Sequence, residues 1–136
     1  MDFSNTVKPG LKAEITETVT DKYTASAWGS GWLDVLATPA MIAFMEKAAL
    51  TAVDPHLPPG WSTVGTEVNI KHLSATPIGM KITFRAELLS VDGRALSLKV
   101  EAFDEAGKIG EGSHGRFIVE NEKFLSKIKE KKPKSS

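Results

Sequence analysis

A single apolar helix is the feature of this sequence that most restricts its fold. Residues 39–53 consist mainly of good helix formers and are apolar almost all the way round, which is typical of a buried helix. Thr38 followed by Pro39 supplies an N-cap and a proline at the first helical position, and Asp54-Pro55 ends the segment. The remainder of the chain must therefore fold around this helix.

That remainder is predicted to be β-strand with one long loop. Residues 11–20 precede the helix and four segments follow it, 63–74, 80–89, 96–102 and 108–119. The first four of these five segments carry apolar side chains on one face. The last contains Gly110, Gly112 and Gly115, which suggest a bulge or a close backbone approach. Asp92-Gly93 is a strong hairpin signal, because its tight turn needs positive φ. Residues 21–37 are predicted to be an irregular loop. A sheet with one apolar face needs a cover, so we predict an α+β hotdog fold, in which a curved antiparallel sheet wraps around one central helix.

Composition limits the classes of function. The chain contains no cysteine, which excludes a disulfide scaffold, a thiolate zinc site and a cysteine nucleophile. Its three histidines lack the spacing of metal ligands, so we expect no metal site. No apolar run is long enough to span a bilayer and the first residues do not resemble a signal peptide. These features favour a cytoplasmic protein without a membrane partner.

Charge divides the chain into two parts. The 17 basic and 17 acidic residues cancel, but residues 121–136 hold six lysines and two glutamates, and we interpret them as a solvated, partly disordered segment. Residues 1–120 are expected to form a single hotdog domain. This domain has no basic stripe interleaved with aromatic side chains, so no nucleic-acid partner is expected. A single sheet leaves edge strands that are normally paired or covered, and a homodimer is the simplest expectation.

Glu46 is the most informative candidate for chemistry. Its neighbours one turn away on the predicted helix are apolar, among them Ile42, Ala49 and Leu50. A carboxylate on an apolar stripe is unfavourable unless it is paired, hydrogen-bonded or protonated. Glu46 is therefore a candidate functional group, and the alternative is a structural polar contact.

His72 is the second candidate. Strict alternation puts it on the same strand face as Val64, Val68 and Ile70, pointing toward the helix. It can then meet Glu46 within one chain or across a dimer, and a carboxylate–imidazole pair can act as a general acid and base near neutral pH. The alternative is a hydrogen-bonded core histidine.

Four further residues each have two interpretations. Thr38 is either an N-cap or an active-site hydroxyl. Gly65 marks either a β-bulge or a place where a backbone N–H approaches a substrate oxygen. His114 and Arg116 lie two residues apart on one strand face, which is either a solvated edge or a binding site for a phosphate or carboxylate.

The ordered set of these residues resembles the fluoroacetyl-CoA thioesterase family of hotdog proteins. The resemblance runs from about Lys8 to the lysine-rich segment. It is carried by Ala37-Thr38, Phe44-Met45-Glu46-Lys47-Ala48, Gly65-Thr66 through His72, Ala75-Thr76-Pro77 and Gly112-Ser113-His114-Gly115-Arg116. It implies that Thr38, Glu46 and His72 are the catalytic residues, that Gly65 donates its backbone N–H, and that Arg116 is the strand arginine of the family.

The same resemblance implies a substrate-binding role for Trp32. This residue stands where the family enzyme has one gating phenylalanine, and Gly29 stands where it has another. Because the aromatic pair is altered in this way, the sequence does not predict fluoroacetyl selectivity.

The activity that the resemblance implies is hydrolysis of a short-chain acyl-CoA to a carboxylic acid and CoA, with no cofactor beyond the CoA of the substrate. Glu46 and His72 would activate water, or Glu46 would attack the carbonyl, which would lie near the N-terminal end of the helix. Arg116 would hold a charged part of the ligand or fix Glu46 in place. Thr38 and Glu46 are about 12 Å apart along a regular helix, so direct contact between them requires a partner subunit or a chain that folds back.

Two other functions fit the same fold. One is an acyl-CoA hydratase or dehydratase, which also uses an acidic residue and a histidine. The other is a non-catalytic protein that binds acyl-CoA or another small ligand. Release of free thiol from acyl-CoA separates hydrolysis from both.

Overall fold

Five strands and three helices make up the computed structural model of this protein, which describes residues 2–133. The strands are β1 (Lys12–Thr18), β2 (Trp61–His72), β3 (Lys81–Asp92), β4 (Ala95–Asp104) and β5 (Gly107–Glu120). The helices are α1 (Ala25–Trp28), α2 (Thr38–Val53) and α3 (Asn121–Lys129), with short 3-10 helices at Asp21–Tyr23 and Asp54–His56. All neighbouring strands are antiparallel, and the order across the sheet is β1-β3-β4-β5-β2.

The sheet packs one apolar face against α2, which confirms the predicted hotdog architecture. The core between them consists of fully buried apolar side chains, among them Met41 and Met45 from α2 and Phe84, Leu98 and Ile118 from the sheet. The helix and the sheet approach closely at Gly110, where a Cβ atom would lie only 2.7 Å from the sulfur of Met41. A glycine in β5 therefore permits the contact, as the glycines of this strand suggested.

Only one side of α2 is buried in the single chain. Ala48 and Ala49 are fully buried against the sheet, whereas Pro39, Ala43 and Leu50 are exposed. The expectation that the helix is buried all round is wrong for one chain, because one sheet covers only the side that faces it.

The side chains of β2 change face within the strand. Opposite residues of antiparallel strands point to the same face, and Thr63 and Gly65 lie opposite Ile118 and Arg116. A β-bulge between Gly65 and Glu67 then shifts the register by one residue. The assignment of Val64 to the inner face is therefore wrong, because strict alternation does not hold across a bulge.

The segment predicted as a long loop contains regular structure. The hydroxyl of Thr24 accepts a hydrogen bond from the backbone N–H of Ala27 and so caps α1, and Gly29 ends that helix at φ 69°. Thr24 and Val35 also form isolated bridges, with Leu36 and Pro77 respectively. The prediction of an irregular loop missed this threonine cap and glycine stop.

The lysine-rich segment begins as the helix α3, which the sequence analysis did not predict. The apolar side chains of Leu125 and Ile128 are exposed on it. Residues 134–136, for which disorder was expected, lie outside the described part of the chain. Across residues 2–133, no helix is both long enough and apolar enough to cross a membrane.

Candidate active site

Thr38 and His72 form a hydrogen-bonded pair at the start of α2. The Oγ1 atom of Thr38 lies 2.7 Å from Nδ1 of His72. Thr38 is the first residue of the helix, and the N-cap position belongs to Ala37, which makes no side-chain capping bond. The N-cap interpretation of Thr38 is therefore wrong. The helix begins one residue earlier than predicted, and the Thr38 hydroxyl is directed to the His72 imidazole.

His72 has a protonation state suited to a base. Burial lowers the pKa of His72 from its ordinary value, and a hydrogen bond involving the Ser74 backbone opposes the effect only in part. The imidazole is therefore neutral at neutral pH. Its Nε2 atom is buried without a hydrogen-bond partner among the described residues. If Nδ1 accepts the hydroxyl hydrogen of Thr38, the hydrogen of the neutral ring is on Nε2, and a proton can reach the imidazole through this hydroxyl.

A cavity opens beside this pair. It has a volume of about 310 Å³, and its lining includes Ser30, Val35 and Leu73 in addition to Thr38 and His72. This volume lies at the lower end of the range for small-molecule sites.

Glu46 lies in a second group of residues, around Gly65. Its Oε2 atom is 3.9 Å from Nε2 of His114 and 4.0 Å from Nη1 of Arg116. A Cβ atom on Gly65 would lie 2.7 Å from the same carboxylate oxygen, so any larger residue here would displace the Glu46 carboxylate. The side chain of Glu46 is 41% exposed, which corrects the expectation of a carboxylate surrounded by apolar groups in one chain. The reason is that the side of α2 that carries Glu46 faces away from the core.

His114 and Arg116 are buried, which rules out the solvated-edge interpretation. Nδ1 of His114 is 2.8 Å from the carbonyl oxygen of Glu67, and its Nε2 is 3.2 Å from Nη1 of Arg116. A carbonyl oxygen can only accept and a guanidinium can only donate, so Nδ1 of His114 donates to Glu67 and its Nε2 accepts from Arg116. Arg116 also donates to the hydroxyl and the carbonyl of Thr63. Its hydrogen bonds thus go to the protein itself, and the carboxylate near it belongs to Glu46.

The expected contact between Glu46 and His72 is not present within one chain. No hydrogen bond or ion pair joins them in residues 2–133. The chain instead has two groups of polar residues: a hydroxyl–imidazole pair (Thr38, His72) and a carboxylate group (Glu46, Gly65, His114 and Arg116).

Trp32 contributes to neither group in the single chain. It lies in the loop between α1 and α2 with 96% of its surface exposed. Sequence reasoning also missed Asp54 and Thr63. Thr63 accepts hydrogen bonds from Arg116, and Asp54 accepts hydrogen bonds from Thr63. Asp54 was interpreted only as a helix stop, and no local pattern indicates that it turns back onto β2.

Comparison with known proteins identifies the family. Residues 19–122 match the fluoroacetyl-CoA-specific thioesterase family, FlK. The fluoroacetyl-CoA thioesterase of Streptantibioticus cattleyicolor is 40% identical over 117 residues, which cover 86% of this chain and 84% of that protein. The chain belongs to the fluoroacetyl-CoA-specific thioesterase family. The resemblance seen in the sequence is thereby confirmed.

Solved structures support the same assignment. One structure of the fluoroacetyl-CoA thioesterase FlK superposes with a TM-score of 0.87 at 34% identity, covering 93% of this chain and 98% of that chain. A hot-dog-like protein from Thermanaerovibrio acidaminovorans gives a TM-score of 0.90 at 22% identity, covering 99% of this chain and 100% of that chain. The second likeness concerns the fold alone and confirms it as a hotdog.

Proposed function

We propose that this protein hydrolyses a short-chain acyl-CoA thioester to a carboxylic acid and CoA. Family membership supports the reaction class, since this chain is a member of a thioesterase family. The observation that carries the assignment to a site is the hydrogen bond between Thr38 and His72, which lies beside a cavity of about 310 Å³. The short acyl group is proposed from the resemblance to the fluoroacetyl-CoA thioesterase family.

The site is proposed to combine the two polar groups across a homodimer. β2 is the last strand of the sheet and has β5 on one side only. Antiparallel pairing with a second β2, about a two-fold axis through Asn69 and with the bulge after Gly65 taking up one residue, would put residue 65 of one strand opposite residue 72 of the other. Glu46 of one chain, which lies over Gly65, would then face the Thr38–His72 pair of the partner.

Exposed apolar side chains support this assembly. Val68 lies on the same face as His114, toward the helix layer, yet it is 46% exposed in the single chain. Leu50 and Ala43 are exposed on the side of α2 that carries Glu46. A second copy paired through β2 would remove these side chains from water, which is favourable by about 25 cal/mol per Å² of apolar surface.

In the proposed reaction a water molecule attacks the thioester carbonyl carbon. His72 takes the proton of the water through the Thr38 hydroxyl, which passes its own proton to Nδ1, and Glu46 of the other chain orients the same water. The C–S bond breaks, and the proton passes from His72 to the departing CoA thiolate. Backbone N–H groups at the start of α2 and near Gly65 stabilise the oxyanion, and one such donor contributes about 3 kcal/mol in comparable sites.

A covalent route uses the same residues. The carboxylate of Glu46 attacks the carbonyl carbon and CoA leaves as the thiolate. Water activated by His72 then hydrolyses the resulting anhydride, and the proton that His72 takes from this water passes to the thiolate. A single turnover in ¹⁸O-labelled water tests the covalent route. When water attacks the glutamyl carbon of the anhydride, label enters the Glu46 carboxylate, which does not happen in the direct route.

The test is release of free thiol from a panel of acyl-CoAs, fluoroacetyl-CoA included. Glu46→Gln and His72→Ala are each expected to lose about 10²–10⁴ in kcat. Glu122→Gln and His56→Ala make the same changes at exposed positions and serve as matched controls. Undiminished turnover in both site variants would refute the assignment. Hydration of an enoyl-CoA without thiol release would favour a hydratase, and binding without turnover a ligand-binding protein.

A further inference from the structure

Behind Glu46, a chain of hydrogen bonds runs back to the C-terminal end of the same helix. It begins at Asp54, the residue that ends α2, and passes through Thr63 of β2 to Arg116 of β5. Glu46 and Asp54 are eight residues apart, about 12 Å along a helix axis. Arg116 thus interacts with two carboxylates of one helix.

Asp54 fixes the direction of the Thr63 hydroxyl. Its Oδ1 accepts the hydroxyl proton of Thr63, and its Oδ2 accepts the backbone N–H of the same residue at 3.2 Å. The proton of the hydroxyl is therefore committed to Asp54, and the oxygen presents a lone pair to Arg116. An undirected hydroxyl could instead rotate its proton toward the guanidinium.

Thr63 in turn fixes the plane of the guanidinium. Nε of Arg116 donates to the Thr63 hydroxyl at 2.7 Å, and Nη2 donates to the Thr63 carbonyl at 2.9 Å. Two parallel hydrogen bonds to one residue define the orientation of a planar group. Nη1 then points to His114 at 3.2 Å and to the Glu46 carboxylate at 4.0 Å.

The charge of Asp54 also acts on Arg116. Burial lowers the pKa of the Arg116 guanidinium, while the charges of Asp54 and Glu46 raise it. A buried cation is stable only when it is paired and hydrogen-bonded, and Glu46 alone is a partly exposed partner. Asp54 supplies the second counter-charge.

We propose that Asp54 and Thr63 are positioning residues that hold Arg116 against Glu46 and thereby fix the Glu46 carboxylate for catalysis. Neither residue lines the cavity beside Thr38 and His72. The effect on turnover rests on the proposed function, whereas the effect on Arg116 does not.

The kinetic test uses paired substitutions of Thr63. Thr63→Val keeps the shape of the side chain and removes the hydroxyl, so we expect kcat for thiol release to fall by about tenfold to a hundredfold with KM changed less than about threefold. Thr63→Ser restores the hydroxyl and is expected to stay within about threefold of wild type. Asp54→Ala is expected to resemble Thr63→Val. Thr18→Val, the same change at an exposed position in β1, is the matched control.

A second readout does not depend on activity. The chain has three arginines, Arg85, Arg94 and Arg116, so their side-chain Nε–H signals can be assigned by NMR with one Arg→Lys variant each. The Nε–H of Arg116 is expected to exchange slowly with water in the wild type and in Thr63→Ser, and fast in Thr63→Val.

Each outcome decides the proposal. Loss of kcat in Thr63→Val with rescue in Thr63→Ser supports it, together with the matching change in Arg116 exchange. A protected Arg116 signal with unchanged kcat in Thr63→Val overturns it. An unprotected Arg116 signal in the wild type also overturns it, even if no acyl-CoA is hydrolysed. Failure of the proposed function is recognised separately, by absence of thiol release in the wild type.

Discussion

Replacing Gly65 with alanine should separate activity from stability. The added methyl carbon would lie 2.7 Å from Oε2 of Glu46, whereas its distances to Cε1 of His114 and Nη1 of Arg116, 3.4 and 3.5 Å, are ordinary contacts. An ordinary contact with the carboxylate needs a displacement of about 0.7 Å. Because the Glu46 side chain is 41% exposed, it can move without disturbing the core. A displacement of about 1 Å at a reacting group can lower a rate by about a hundredfold.

We therefore expect Gly65→Ala to lower kcat by about 10- to 100-fold while its melting temperature stays close to that of the wild type. Gly→Ala at a position of ordinary φ stabilises by about 0.4–1 kcal/mol through the unfolded state, which offsets a small local strain. Gly93→Ala is the opposite control: its φ is 62° in open space, so it should lower the melting temperature by several degrees and leave kcat unchanged. Thiol-release kinetics and thermal unfolding measure both. Wild-type turnover in Gly65→Ala would refute the placement of the carboxylate.

Three further predictions concern the hydroxyl–imidazole pair and the edge strand. Thr38→Val should lower kcat about tenfold or more with little change in melting temperature, because the Thr38 hydroxyl is hydrogen-bonded to His72 and does not cap the helix. A lower melting temperature with full turnover would restore the cap interpretation. Burial lowers the pKa of His72 below its unfolded value of about 6.5, so between these two pKa values the unfolded chain binds more protons than the folded chain. The free energy of unfolding should therefore fall as the pH decreases through that window, and it should fall less in His72→Asn. Urea titrations at several pH values measure this difference. Val68→Lys should be monomeric in light scattering and should lose thiol release, because it puts a charge at the proposed interface. Leu89→Lys, at an equally exposed position, should remain dimeric and active. An active dimer of Val68→Lys would contradict the proposed interface.

The fold could be predicted because its main signals are local. Alternation in the later strands, the Asp92-Gly93 turn and the single apolar helix each depend on neighbouring residues, and each has its counterpart in the structure. The structure confirms the β-bulge that was one of the two interpretations of Gly65, but the sequence around it still alternates and so did not show that the bulge changes which face Val64 occupies. His72 nevertheless faces the helix, because the bulge resets the alternation and the residues from Val68 to His72 then alternate from the inner face.

Residue types in the sequence named some side chains of the candidate site but not their contacts. Residue types on the helix and on two strands selected Glu46, His72 and Arg116, and the structure puts Glu46 near Arg116. Whether Glu46 is buried depends on how much of α2 one sheet can cover, which is a property of the assembled layers. The role of Asp54 depends on a contact with Thr63 across a turn, and the spacing of the sequence carries no sign of it.

Each proposed active site takes Glu46 from one chain and His72 from the other. Mixing inactive Glu46→Gln and His72→Ala proteins, with unfolding and refolding to exchange subunits, tests it directly. Random pairing makes half of the dimers mixed, and each mixed dimer regains one intact site of two, so we predict about a quarter of wild-type thiol release. If both residues act within one chain, every site in the mixture lacks one of them, and activity would stay at the level of the separate variants.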